Sequence, residues 1–145
     1  MMLSKHFSLD EMIFSQTATR NSIDNTPGAN EIENLKKLCS EILDPLCEKH
    51  HLNIHVSSGF RSVKLKKKIG GAANSQHVKG CAADITAEGI ASIELYDIIK
   101  ASGLAFDQLI QEFETWVHIS WSVNPRGECL LAMKIGGKTV YLKDE

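Results

Sequence analysis

The sequence predicts an α+β fold, with helices gathered before Gly103 and strands after it, an order that favours an antiparallel sheet. Three observations carry this. Ile32, Leu35, Leu38, Cys39, Ile42 and Leu46 recur near the 3.6-residue helical period, so one stripe of a helix is apolar. Trp116–Ser120 alternates at period two, with Val117 and Ile119 on one face and Trp116, His118 and Ser120 on the other. Gly136-Gly137 separates two further alternating runs as a hairpin turn should.

Taken in order, Ser8-Leu9-Asp10-Glu11 reads as a capping box, so a short helix follows it, to about Ser15. The polar stretch from Thr17 to Asn30, with Thr26-Pro27-Gly28, reads as loop. Asn30 is the expected cap of the long helix, and Pro45 should bend or loosen its last turns. Asn53–Ser57 is a strand candidate. Ser62 should cap a helix over Val63–Ile69, and Gly70 to Asn74 reads as a flexible loop. Cys81–Thr86 reads as strand, and Ile90 to Ile99 as a helix closed by Gly103. Strands are then expected over Phe106–Glu112, Trp116–Trp121, Glu128–Lys134 and Thr139–Leu142.

A length of 145 residues suits one domain spanning 1–145, and 43% hydrophobic residues suffice for a core. A net charge of -2 gives no general attraction to nucleic acid, and the cluster Lys64, Lys66, Lys67, Lys68 reads as a solvated helix face. Asp10 and Glu11 interrupt the start before a secretory apolar run can form. No window reaches the roughly 18 apolar residues of a membrane span. Synthesis in the cytoplasm and a monomeric state without membrane insertion are the expectations. Cys39, Cys47, Cys81 and Cys129 lack CxxC spacing and read as free thiols of a reducing compartment.

The chemistry concentrates in Ser75–Asp84, SQHVKGCAAD, and in the strand carrying His118. On its strand Asp84 points away from the face shared by Ala83 and Ile85, as His118 points away from Val117 and Ile119. His77, Asp84 and His118 therefore form a candidate His2Asp set for one zinc ion per chain, the ligand type that leaves a fourth position open for catalysis. Gly80 allows the turn between the first two ligands, and the small Cys81, Ala82 and Ala83 let metal and substrate approach the strand. His6, His50, His51 and His55 read as structural or solvated, with His55 near enough to Arg61 in sequence to support the site. Trp116 and Trp121 read as packing residues.

SGFRS (Ser58–Ser62), SQHVKGCAAD and EFETWVHIS together resemble the zinc D-Ala-D-Ala peptidases, whose fold is shared with lysostaphin-type enzymes and the hedgehog signalling domain. The resemblance, which runs from about His6 to Ser120, implies that S-x-H-x(6)-D and the later strand histidine hold zinc through His77, Asp84 and His118. It implies a substrate-gripping role for Arg61 near the scissile carbonyl and a substrate contact at Ser75. It also implies a hedgehog/DD-peptidase-like sheet, helices on one side and an open zinc cleft on the other. HFSLDEM and DNTPGANEIENL are similar to the small phage-associated branch.

Hydrolysis further needs a carboxylate to take a proton from the attacking water. Glu112 and Glu114 both precede His118, and strand alternation alone gives them one face. Many members of the family place the acid three residues before the last histidine, where this chain has Thr115. Hedgehog-like members place a glutamate six before, which is Glu112, and the phage-associated relatives tend to read FDQLI-x-E, matching Phe106 to Glu112. Glu112 is preferred and Glu114 is the alternative. The implied function is a zinc peptidase acting on peptidoglycan stem or cross-link peptides, as a D-Ala-D-Ala carboxypeptidase or an endolysin-type endopeptidase, reaching the wall by phage-type release. The alternative is a zinc-retaining but inactive wall- or protein-binding module.

Overall fold

The structure is a computed structural model describing residues 1–70 and 75–145; most of the loop expected after Gly70, residues 71–74, lies outside them. Ser8 caps α1 (Leu9–Ile13) through the reciprocal box with Glu11 that the sequence predicts. The next stretch is not all loop. Ser15 accepts a hydrogen bond from the Ala18 amide and starts a short helix, α2 (Gln16–Arg20), which buries Ala18.

Helix α3 (Ala29–Leu38) is capped by Gly28 rather than Asn30, because its first backbone bond runs from the Ile32 amide to the Gly28 carbonyl. Pro45 loosens this helix as expected. It has no N–H for the carbonyl one turn back, and Cys39–Leu43 widens into a π turn in which the Asp44 amide donates to the Cys39 carbonyl. The chain then continues as α4 (Asp44–Lys49). Strand β1 (Ile54–Ser58) leads to α5 (Val63–Ile69), capped by Ser62 as predicted. A single 3-10 turn, Gln76–Lys79, precedes β2 (Ala82–Ala87). Helix α6 (Ser92–Ala101) precedes β3 (Gln108–Glu112), β4 (Trp116–Ser120), β5 (Glu128–Ile135) and β6 (Lys138–Lys143).

Among the described residues the strands form one six-stranded sheet in the order β1-β2-β4-β3-β5-β6. Its pairs are antiparallel except β3–β5, which are parallel, so the all-antiparallel expectation is corrected to a mixed sheet. The reason is topological. β4 already has β2 on its other side, and the next strand joins the nearby outer edge of β3. The segment after Trp121 carries the chain back to the start of β3, where the Gly127 and Glu128 amides donate to the Phe106 and Asp107 carbonyls. β5 thus leaves in the same direction as β3.

One face of the sheet is the core. Ala83, Ile85, Leu109, Val117 and Ile119 are fully buried there in one cluster with Leu35, Leu38 and Ile42 of the long helix and Leu95 and Ile99 of α6. The opposite face carries Asp84, Ile110, Glu112 and His118. The four cysteines are free thiols, and burial pushes the Cys39 thiol up to about 12, which keeps it inert. Among the described residues no helix is long and apolar enough to cross a membrane.

Candidate metal centre and cleft

Two neighbouring strands set the centre. In the antiparallel β2–β4 pair Asp84 lies directly opposite His118, so both side chains leave the same face side by side. His77 comes from the 3-10 turn just before β2, where the Ser75 hydroxyl accepts from the His77 amide. Gly80 ends this turn at φ 76°, and a Cβ there would lie 2.5 Å from the Glu31 carbonyl oxygen of α3. The glycine between the first two candidate ligands is therefore required by both backbone angle and close packing.

The SGFRS segment supports the same centre from the other side. A bulge in β1 between Val56 and Ser58 redirects the chain over Asp84. Gly59 passes so close to α1 that a Cβ would lie 2.3 Å from the Met12 carbonyl oxygen, and the Phe60 amide donates to that oxygen at 2.7 Å. The Gly59 carbonyl in turn accepts from His77 Nδ1 at 2.7 Å. Arg61 Nε donates to Ser58 Oγ (3.0 Å) and Arg61 Nη2 to Asp84 Oδ2 (3.2 Å), leaving Nη1 outside these contacts.

With Nδ1 donating to Gly59, neutral His77 turns its Nε2 lone pair on Asp84 Oδ1, 3.3 Å away. His118 Nδ1 lies 3.2 Å from the same oxygen. Two acceptors facing each other in a buried site need a cation between them, whether a proton or a metal ion. The donor atoms of His77, Asp84 and His118 all lie within 4.8 Å of one another, and all three residues are buried. This donor set fits a catalytic-type zinc site with three protein ligands. Burial pushes the Asp84 carboxyl up, but when the cation between these groups is a proton, the hydrogen bonds and charges of His118 and His77 hold it well below the usual carboxylate range, so it stays ionised.

The centre opens into a cleft of about 540 Å³, within the usual range of ligand sites. Arg61, Ser75 and Glu112, the residues for which the sequence suggests roles in substrate binding and proton transfer, line it. Glu114 does not. Phe113 and Glu114 have φ of 53° and 59°, so strand alternation stops at Glu112 and Glu114 lies exposed on the turn. Burial and the Asp84 charge raise the Glu112 carboxyl above its ordinary value, while His118 and Arg61 pull the other way. His55 is exposed, outside the cleft. Trp116 lines the cleft as well as packing edge to face on Phe113 at 5.9 Å.

Further cleft residues are not singled out by the sequence. Gln76 is fixed by its amide donating to Asp107 Oδ2 at 2.8 Å, and Gln108 by donating to Glu128 Oε1 at 2.6 Å. Ile110 lies directly across from His118. Leu130 and Tyr141 come from β5 and β6. Their parity on those strands is readable, but the parallel pairing that brings the hairpin beside β3 is not.

The chain matches the family model Peptidase M15 over residues 5–120, a span that includes His77, Asp84, Glu112 and His118. It therefore belongs to the M15 peptidases, the zinc D-Ala-D-Ala peptidase family that its motifs resemble. A search of curated proteins finds no match to the chain.

Proposed function

We propose that the protein, read as one domain over residues 1–145 and acting as a monomer, is a zinc peptidase that hydrolyses peptidoglycan stem or cross-link peptides. The observation that carries this is the meeting of the His77, Asp84 and His118 donor atoms beside Glu112 in one open cleft. In this reading the fold is of the hedgehog/DD-peptidase type, one zinc ion sits on the three ligands, and the protein reaches the wall by phage-type release. The metal supplies Lewis acidity, polarising a carbonyl and bringing water into the neutral range of acidity.

The chain's own groups do the rest. Glu112 takes a proton from the attacking water and passes it to the departing amine. Its half-buried place on the cleft wall lets one carboxylate serve as base and then as acid without competing bulk water. The Gly59 carbonyl fixes the His77 ring, and Arg61 fixes the second oxygen of Asp84, so both candidate ligands are oriented before substrate arrives. The remaining edge of the Arg61 guanidinium offers donors to a substrate carboxylate or to the oxyanion that develops at the scissile carbonyl. Ser75 contributes a hydroxyl on the same wall.

Glu112→Gln preserves shape but cannot accept a proton. Turnover of defined muropeptides, read by mass spectrometry, should fall about 10²–10⁴-fold while zinc content is unchanged. Glu114→Gln, on the exposed turn, should stay near wild type. A fully active Glu112→Gln would remove the proposed base. A wild type that retains zinc but cleaves no wall peptide would make the chain a binding module.

A further inference from the structure

The family match ends at Ser120, yet the cleft does not. Its far wall is the β5–β6 hairpin, which contributes Leu130 and Tyr141. Registers across the sheet show what this wall presents. Glu112 pairs with Ala132, and Ala132 with Tyr141, so Glu112 and Tyr141 stand on one row and one face with only a methyl group between them. One row along, Asp84, His118, Ile110, Leu130 and Lys143 follow in line. Lys134 pairs with Thr139 on this same face and lies over the Phe113 ring at 5.5 Å. Among the described residues, neither Lys134 nor Lys143 has a carboxylate within ion-pair distance, whereas Lys100 is paired with Asp144.

We propose that the C-terminal hairpin is the specificity wall of the cleft, with Tyr141 binding the substrate peptide beyond Glu112 and Lys134 and Lys143 selecting a peptide that bears a free carboxylate on that side. This rests on the peptidase reading above and names which substrates it prefers. The dimensions agree. Neighbouring strands are about 4.8 Å apart, so Lys143 stands three strand spacings, about 14 Å, from His118. An extended peptide advances about 3.3 Å per residue, so a bond held at the candidate metal centre places a group about four residues away over β6. Stem peptides of that length carry carboxylates. Tyr141 is half exposed, at 53%, with its ring free for contact. Burial, then the charges of Glu112 and Asp84, push its phenol up, so the hydroxyl stays protonated and can donate to a peptide carbonyl.

The test compares wild type with Tyr141→Ala, Tyr141→Phe and the double variant Lys134→Gln/Lys143→Gln, on muropeptides with free carboxylates and on the same peptides amidated. Dissociation constants from calorimetry accompany the kinetics. Tyr141→Ala should raise KM about tenfold or more with kcat within about twofold, the pattern of lost binding rather than lost chemistry. Tyr141→Phe, which loses one hydrogen bond, should raise KM about 2- to 10-fold. The lysine variant should lose the preference for free over amidated peptide. Thermal melts check that the exposed substitutions leave the fold intact. Wild-type cleavage with unchanged KM in Tyr141→Ala, or with the same preference in the lysine variant, would overturn the inference and leave the peptidase reading standing. A fall in kcat at unchanged KM would overturn it too. A wild type that neither cleaves nor binds any muropeptide would overturn both.

Discussion

Asp107 shows how one residue outside the candidate chemistry can hold the cleft in shape. Its carboxylate accepts from Arg126 Nε at 3.0 Å, Arg126 Nη2 at 2.8 Å, the Arg126 amide at 3.1 Å and the Gln76 amide at 2.8 Å. It thereby ties the turn that carries His77 to the segment that starts β5. The Asp107 side chain is only 5% exposed while Arg126 is 54% exposed, so the aspartate is the partner whose loss matters. Hydrogen bonding from Arg126, outweighing the effect of burial, lowers its pKa. A depressed carboxyl contributes stability that is present above the unfolded value, about 3.9, and is lost as pH falls through the folded value. Asp107→Asn should therefore cost about 1–3 kcal/mol at pH 6 by urea unfolding, and the gap should close as pH falls well below the ordinary aspartate value. A gap independent of pH would mean that the ionised carboxylate is not what stabilises this junction. Asp107 is invisible in the sequence because its partners lie 31 and 19 positions away, with no local spacing to mark them. Glu112 is only half legible, since alternation cannot choose between it and Glu114. The positive φ of Phe113 and Glu114 leaves Glu112 but not Glu114 on the cleft wall, and nothing in either residue type announces a left-handed turn.

Elements are legible where the signal is local. The Ser8 and Ser62 caps and the Gly136-Gly137 turn, with φ of 58° and 79°, stand where the sequence predicts them. The three-residue reach of a cap and the left-handed demand of a tight hairpin leave little choice. Helix α2 is not legible, because a single cap, Ser15, starts it without an apolar period. Nor is the parallel β3–β5 pair, because strand direction is decided by which edge is free. Two glycines test the local logic directly. Gly70 ends α5 at φ 85° with nothing within 4 Å of where a Cβ would sit, whereas Gly80, at φ 76°, would thrust a Cβ onto the Glu31 carbonyl and the Leu35 side chain. Gly70→Ala should cost only the backbone term, about 1–2 kcal/mol. Gly80→Ala adds a backbone clash to that term and shifts the turn bearing His77. It should lose clearly more stability and also bind zinc more weakly. Equal losses in stability and undiminished zinc affinity would show that α3 yields freely and that the turn is not braced by it.

At the scale of the molecule the sheet divides the work. One face carries the core shared with the long helix and α6, and the other carries the cleft. The candidate ligands arise from two paired central strands and a preceding turn, all supported from behind by fully buried residues such as Ala83, Ile85, Val117 and Ile119. Folding should therefore not depend on a metal, unlike that of a small zinc finger whose site replaces a core. Without a metal, Asp84 and the two imidazoles lie close together in a buried pocket, with Arg61 Nη2 on the second oxygen of Asp84. Chelation should leave the far-ultraviolet circular dichroism at 25 °C unchanged. It should lower Tm, because zinc bound only to the folded state stabilises that state by mass action. The Tm difference between zinc-loaded and chelated protein should be large at pH 7.5. It should shrink as pH falls from 7.5, because metal binding requires deprotonated ligands and protons compete with the metal for them. Asp84 stays ionised through this range, so it does not limit the loss. His118→Ala should remove most of the zinc-dependent rise in Tm at every pH while keeping the spectrum of the folded chain. Unfolding on chelation would place the metal within the core energetics. A Tm indifferent to zinc, with no metal retained on gel filtration, would strike out His77, Asp84 and His118 as its ligands.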